Sequence, residues 1–338
     1  SLQWRRKFFT AGEFELHFNL TAKNKHLLGD GNIVCRTDSP EAGIVEIQRL
    51  QDDGDGDKAM VKGSFITAAL ARRYLYGQET AIGKAEEVMR QWVNKLAINP
   101  SNADRKMAKI ELGTLQGFPE GISAQTSDAE LLQALTDVGK VSGLGYRLRF
   151  DRFVQTVFFE VLKGVDRSIS QQLNPRIIFS DEMHNIKSTE YELKTNRYKT
   201  YVVVGGETVE GVPQKRVAVG GGSGWERRET YCDASGTSSA DLTEAQYEDV
   251  LRNEGQLNLW SASRIENFEG KIATASEAMY GVDFELGDIV TVGQKKWGHY
   301  ENLRITEVLE VFEKGRKTVA PTFGSPAPSI IDFVKGVR

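Results

Sequence analysis

The stretch from Arg264 to Arg338 constrains this chain most, because its apolar residues come in runs too short for helices. Phe284, Leu286, Ile289 and Val292 sit in short alternating or apolar runs broken by Gly281, Gly287 and Gly293. Residues 300–306 and 307–312 read as a second pair of strands that ends at the turn Glu313-Lys314-Gly315-Arg316. Short strands with turn signals about every ten residues predict a small barrel or sandwich. No catalytic pattern falls in this stretch, which fits a building block better than a reaction site.

A chain of 338 residues is too long for one core, so two or three domains are expected. A hydrophobic content of 40% and a charged content of 27% are ordinary for a soluble globular protein. The net charge of −4 argues against a dedicated duplex-DNA binder, so no sequence-specific nucleic-acid partner is expected. It leaves room for a channel through which DNA merely passes. Cys35 and Cys232 lie far apart without a CxxC pattern. Two free, buried thiols in a protein folded in a reducing bacterial cytoplasm are expected, rather than a disulfide or zinc site. No apolar run has the length of a membrane span, and no signal peptide is visible, so no membrane partner is expected. The chain opens at Ser1 already in strand pattern, and residues upstream of it are expected.

The organisation is α+β and mostly β. Residues 1–78 are strand-rich, with strands at 4–9, 13–19 and 32–36, a hairpin of 43–51 with 58–67 around the acidic tip, and a last strand at 72–76. Residues 79–163 form a mixed α/β module. Its first helix places Val88, Trp92 and Leu96 on one face, with Met89 and Val93 in the adjoining row. A second helix is expected at 127–138, with Ser127 as N-cap and Glu130 completing a capping box. A hairpin of 145–150 with 153–162 follows. Residues 164–263 return to strands and end in a helix from about Thr243, with Tyr247, Val250 and Leu251 on its apolar side. Residues 264–338 carry the closing β unit and an extended, proline-bearing tail. Two small β-barrel-like units therefore flank mixed α/β modules.

The patterns that could carry chemistry are weak. Asp53 and Asp55 in "DDGDGD" resemble the start of a calcium loop, but Lys58 stands where that loop needs glycine and Ser64 where it needs glutamate. Gly77 with Gly83-Lys84 misses a phosphate loop by one residue, and Ala85 replaces its hydroxyl. The "GGGSG" run at 220–224 has neither dinucleotide nor nucleophile-elbow spacing. His17, His26, His184 and His299 form no metal or triad motif, and Asp181, Glu182 and His184 are close only in sequence. Glu13 with Glu15, or Glu307 with Glu310, could be offered as glycosidase carboxylates, but such pairs are common. No catalytic residue, cofactor or metal is expected. The run "FVQTVFFEVL" is apolar on both faces, which predicts a strand buried on both sides or covered by another subunit.

Three segments carry a resemblance: "FFEVLKGVDRS" at 158–168, "NPRIIFSDEMHNIKSTEYELKTNRYKTYVVVGGE" at 174–207, and "YGVDFELGDIVTV…WGHYENLRITEVLEVFEKGRKTVAPTFG" at 280–324. The opening "RRKFFTAGEFELHF" at 5–18 fits as well. The chain resembles the siphovirus gene-product-thirty-seven-like tail proteins of phages and prophages of Gram-positive bacteria. The resemblance implies a baseplate hub at the virion tail tip. Such a hub is a homotrimer in which two related barrels per subunit make a six-barrel ring, adapting a six-fold tail tube to a three-fold tip. Implied partners are the chain itself, the distal tail protein and other tail-tip proteins. Some hubs continue into a lysin; this sequence implies none. Phe158, Phe159, Phe284 and Trp297 are the expected interface positions, against plain core as the competing reading for each. The alternative function is a carbohydrate-binding or cell-wall-degrading tail protein.

Overall fold

The computed structural model describes residues 1–324 other than 22, 23, 25, 53–56 and 273–277. Strands β1 (Leu2–Lys7) and β2 (Glu13–Asn19) pair antiparallel, with Trp4 opposite Phe14. Short strands β3 (Ile33–Cys35) and β4 (Ala42–Ile44) pair beside them. β5 (Ile47–Asp52) and β6 (Asp57–Ser64) form the expected hairpin, and Asp53 and Asp55 at its tip lie outside the described residues. Trp4, Phe14, Val45, Val61 and Phe65 make the core of this unit. The Trp4 indole lies 4.6 Å from the Phe65 ring, centroid to centroid, and donates to Ser39 Oγ at 3.1 Å, so its one polar atom is satisfied.

A 3₁₀ turn at Ile66–Arg72 leads into the long strand β7 (Tyr74–Lys84). Helix α1 (Ala85–Val93) runs on into a π turn at Asn94–Ile98. It buries Val88, Met89, Trp92, Val93 and, in the π turn, Leu96, the face marked by its periodicity. β8 (Ile110–Leu112) is followed by β9 (Gly121–Glu130) and α2 (Leu131–Ser142). The second helix thus begins three residues later than its capping-box signature predicts, with Glu130 rather than Ser127 at the N-cap. Ser127 is held in strand opposite Gln78, and the Leu131 N–H goes to the Arg73 carbonyl at 2.9 Å. Pairing with β7 outcompetes the local cap. The helix ends at Gly143, whose φ of 74° is the left-handed conformation that glycine adopts without penalty. β10 (Gly145–Asp151) and β11 (Thr156–Leu162) then form a hairpin, with the short β8 added parallel to β11.

β12 (Ile178–Ser180) and β13 (Ile186–Lys194) precede a small three-stranded sheet of β14 (Tyr201–Gly205), β15 (Arg216–Gly220) and β16 (Glu229–Asp233). Helix α3 (Glu244–Ser261) covers this sheet through Tyr247 and Leu251 against Val202, Val204 and Val217. Thr243 and Gln246 close a full capping box at its start.

The last unit contains β17 (Ile265–Ile272), β18 (Ile289–Gln294), β19 (His299–Glu313) and β20 (Arg316–Gly324). The two strands expected at 300–306 and 307–312 are one strand, β19, with a register shift between Ile305 and Glu307. Thr306 sits at that irregularity and donates from its hydroxyl to the Gly324 carbonyl at 2.6 Å. Phe179, Phe268, Phe284, Val290, Val292, Ile305, Val308 and Phe323 fill the core beneath these strands. The fold is mostly β, in several sheets. The largest runs in the order β13-β17-β20-β19-β1-β2-β6-β5. The two strand-rich ends of the chain are joined in it, because β1 pairs antiparallel with β19 from Leu2–Phe312 to Lys7–Glu307.

Candidate assembly surfaces

The sheet has ten strands, because β18 and β12 branch from β19, and besides the end of that branch at β12 its main path leaves two edges open. At one end β5 pairs only with β6, and at the other β13 pairs only with β17, among the described residues. All six residues of β5 are exposed, including Ile47 and Leu50, which present about half of their surface. A free strand edge is a row of unpaired N–H and C=O groups, and proteins ordinarily blunt it with lysine, proline or a covering loop. β5 carries Arg49 as its only cation and no proline. β13, on the opposite edge, carries Glu190 and Glu192 together with Lys187 and Lys194, and Asp52 offsets Arg49 on β5, so neither edge bears a net charge.

The seam between the two ends of the sheet is held by buried charge. Along β1, Trp4, Arg6 and Phe8 point inward at a spacing of two, which places a guanidinium on the apolar face. Arg6 donates to the Glu41 carboxylate, to the Tyr280 hydroxyl at 2.5 Å and to Glu285 at 2.8 Å. Burial alone would lower the Arg6 pKa, but Glu41, Tyr280 and Glu285 overcome it and hold the group charged. The same exchange pulls Glu285, whose side chain is about half exposed, below the usual carboxylate range despite its partial desolvation. Beside this seam, Gly287 has a φ of 97°, and a Cβ there would lie 2.2 Å from the Phe8 ring. Glycine at this position lets the two ends pack.

The four expected interface residues fall into two kinds. Phe159 and Phe284 are fully buried, Phe159 in the central α/β core and Phe284 beneath the last unit, so both are spent on the subunit's own interior. Phe158 is half-buried on the other face of β11, with the Arg149 guanidinium 4.7 Å from its ring centroid. Trp297 is half-exposed in a 3₁₀ turn before β19. β11 is therefore fully buried on one face only. Its second face holds Glu160, paired with Arg147 and Arg149. Phe153, expected in the strand, lies in the preceding turn at 82% exposure. Its register shows why: β11 starts at Thr156, opposite Asp151.

Sequence and fold comparisons agree with this architecture. The profile of the family described as Siphovirus ReqiPepy6 Gp37-like protein matches residues 1–325. The chain belongs to that family. Among solved structures, this Gp37-like chain is similar to the 43 kDa tail protein of prophage MuSo2 from Shewanella oneidensis, at 12% identity, covering 96% of this chain and 94% of that one with a TM-score of 0.61. A tail protein from Neisseria meningitidis matches at 14% identity, over 96% of this chain and 91% of the other, with a TM-score of 0.57. The prophage tail protein gp18 from Listeria monocytogenes matches at 12% identity, over 99% and 91%, with a TM-score of 0.56. The Gp37-like chain therefore has the fold of prophage tail proteins. No curated protein matches it.

Residues of the Gp37-like chain that could have formed a catalytic or metal centre are engaged otherwise. Glu13 pairs with Arg5, and Glu307 also reaches Arg5 at 3.0 Å. Glu310 is held by Arg36 and Lys317. Glu182 accepts from Lys295 at 2.5 Å and from Tyr300 at 2.6 Å, which lowers its pKa. Asp181 accepts the Lys295 N–H at 2.9 Å. No group of three or more metal-ligating side chains is assembled among the described residues. Gly83 and Lys84 end strand β7 rather than cradle a phosphate. Both cysteines are free, but only Cys232 is partly buried. Cys35, expected to be buried, is exposed because β3 is a short peripheral strand. No helix among the described residues is long and apolar enough to cross a membrane. The buried seam around Arg6 and the two open sheet edges were not foreseen. An arginine at an inward position of an alternating strand was the available signal for the first; strand order across the sheet has no local signal.

Proposed function

We propose that this chain is a non-enzymatic baseplate hub of a long-tailed phage or prophage, a homotrimer whose ring adapts a six-fold tail tube to a three-fold tip. One observation carries the reading: a single sheet spans both strand-rich ends, and its main path finishes in two unlike edges, β5 and β13, each paired on one side only among the described residues. An edge on one subunit that meets a different edge on the next makes a heterologous contact, and such contacts close into a ring where the rotation between subunits closes. Each subunit then contributes two barrel-like units, from 1–78 and 264–338, and three subunits contribute six. Phe158 and Trp297, still accessible in the single subunit, lie at the contacts, with the distal tail protein and other tail-tip proteins on the ring's faces. The family match and the prophage-tail fold support the tail assignment, and the ion-paired state of the candidate carboxylates favours assembly over wall cleavage.

The test is the solution mass by light scattering over a concentration series. A particle of three times 37.7 kDa, seen as a ring by electron microscopy, is the expected result. A strict monomer at high concentration, with or without added tail-tip partners, would overturn the ring.

A further inference from the structure

Gly220, Gly222 and Gly224 have φ values of 90°, 107° and 53°, in the left-handed region that residues with side chains rarely enter. The glycine run after β15 therefore makes a bend that other residues would resist, and it carries Trp225 outward on the 3₁₀ turn Gly224–Glu226. Trp225 is 98% exposed, more than any other large apolar side chain among the described residues. Tryptophan, tyrosine and arginine are the side chains that most often anchor a protein–protein contact. Beside Trp225, the Glu226 carboxylate makes no ion pair or hydrogen bond among the described residues. The neighbouring cations are engaged otherwise: Arg227 with Glu229 and the Tyr201 ring, and Arg228 with the Thr195 carbonyl at 2.9 Å. The tip thus presents an indole next to an uncompensated negative charge.

The opposite combination is found elsewhere on the subunit. A cleft of about 400 Å³ lies between residues 35–41 and the turn of the β10–β11 hairpin. Three guanidiniums line it. Arg36 is held by Asp38 and Glu310, and Arg149 by Glu160 and Asp151. Glu41, on the same wall, is taken by Arg6. Arg152 is left over. It makes no ion pair or hydrogen bond among the described residues and lies only against the exposed Phe153 ring, 4.8 Å from the centroid. The cleft thus presents an aromatic ring next to an uncompensated positive charge, in a volume that admits an indole.

We propose that Trp225 of one subunit seats in this cleft on a second copy of the chain, with the indole against the Phe153 ring and the Glu226 carboxylate on the Arg152 guanidinium. The inference rests on the self-assembly proposed above and names a contact for it. Charge complementarity selects the occupant: the tip offers an aromatic ring with a carboxylate, and the cleft offers an aromatic ring with a guanidinium. An indole face also attracts a guanidinium, so Arg152 serves both halves of the tip. Trp225 and Glu226 do not line the cleft of their own subunit, so the contact joins two chains through unlike surfaces, head to tail.

Cys35 is exposed on the cleft wall and serves as a probe already in place. Ser223 is exposed, and its side chain caps nothing in the turn it precedes, so Ser223→Cys puts a thiol beside Trp225 without cost to the fold. The experiment treats the whole chain carrying Ser223→Cys with a short bis-maleimide, reads the products on a denaturing gel, and measures the untreated parent by light scattering. Chain-to-chain products are expected that are absent from the parent and disappear when Cys35→Ser is added. Without cross-linker, Trp225→Ala and Arg152→Glu should each weaken the trimer by at least about tenfold, and Glu226→Arg added to Arg152→Glu should restore most of that loss. All four positions are exposed, and circular dichroism verifies the fold of each variant. A trimeric parent that gives no Cys35-dependent product, or that is unmoved by Trp225→Ala and Arg152→Glu, would overturn this contact alone and leave the cleft to a different tail-tip partner. A parent that stays monomeric and gives no product would overturn this contact together with the ring.

Discussion

Arg36 forks onto Glu310 across the subunit, donating from Nη1 at 2.7 Å and Nη2 at 3.3 Å to the two carboxylate oxygens. The pair joins the end of β3 to the middle of β19, so it ties the first strands of the chain to the last. Both side chains are nearly buried. The guanidinium also lies 4.4 Å from the Phe312 ring centroid and pairs with Asp38 at 2.7 Å. Removing one partner of a buried pair leaves an uncompensated charge, which costs more than the pair itself contributes. Glu310→Ala should therefore lower stability by about 3 kcal/mol in urea unfolding. Asp38→Ala, on an exposed partner, should cost below about 1 kcal/mol. Equal losses from both would show that the Arg36–Glu310 contact is not the one that joins the ends.

Two stretches with capping-box spacing behave differently, and the contrast makes a second prediction. Thr243 accepts from the Gln246 N–H at 3.3 Å and starts α3. Ser127 and Glu130 have the same spacing but sit inside β9. Thr243→Ala should cost about 1 kcal/mol, while Ser127→Ala should leave the α2 boundary unmoved. Amide exchange at the first turns of α2 and α3 reads both.

That contrast also marks what was legible in the sequence. α3 and the buried face of α1 follow from 3.6-residue spacing, and β2 follows from alternation and a preceding glycine, because those signals act within a few residues. The α2 start and the unbroken β19 depend on partners far along the chain: Gln78 opposite Ser127, and Lys7 opposite Glu307. Local preference cannot report a competitor it does not contain. The same holds for the assembly surface. Aromatic runs marked Phe159 and Phe284, which the subunit keeps for its own cores, whereas the open edge β5 has an ordinary composition and is exposed only because of its place in the strand order.

Phe159 and Trp297 separate these two roles by measurement. Phe159→Ala opens a cavity in the central core and should cost about 3–5 kcal/mol. Trp297 is half-exposed, with Phe268 6.1 Å away between ring centroids. Trp297→Ala should cost about 1 kcal/mol in the subunit and weaken trimer formation if it lies at a contact. Thermal unfolding with light scattering on the same samples gives both numbers. A Phe159→Ala chain that unfolds like the parent would remove it from the core.

The edge β5 permits a sharper test, because its side chains make little contact within the subunit. Ile47→Lys with Leu50→Lys changes both faces of the strand while keeping its backbone. On an exposed edge the double change should alter unfolding by within about 0.5 kcal/mol. Lysine on an edge opposes strand addition. The trimer should therefore dissociate at higher protein concentration than the parent, without loss of fold by circular dichroism. A trimer of unchanged strength would place the subunit contact elsewhere than on β5.

The pH dependence of stability has two limbs of opposite sign. Glu160 and Glu285 are partly buried, yet Arg149 and Arg147 in one case, and Arg6 in the other, pull their pKa values below the ordinary range. A carboxyl with a lowered folded pKa contributes stability that is present above its unfolded pKa and lost as pH falls through the folded one. The chain should therefore weaken below about pH 4. Glu254 acts in the opposite direction. Burial and then Asp137 raise it to about 7, so between its unfolded and folded pKa values the native state holds a proton that the unfolded chain has released. Stability should fall as pH rises across that window, by on the order of 2 kcal/mol, and level off above it. Glu254→Gln cannot ionise, so it should remove the upper limb, leave the acid limb in place and be the more stable protein at pH 8. Urea midpoints of parent and variant at pH 4, 6 and 8 give the comparison. Parallel curves across all three would show that Glu254 titrates normally and that α3 meets α2 without a buried carboxyl between them.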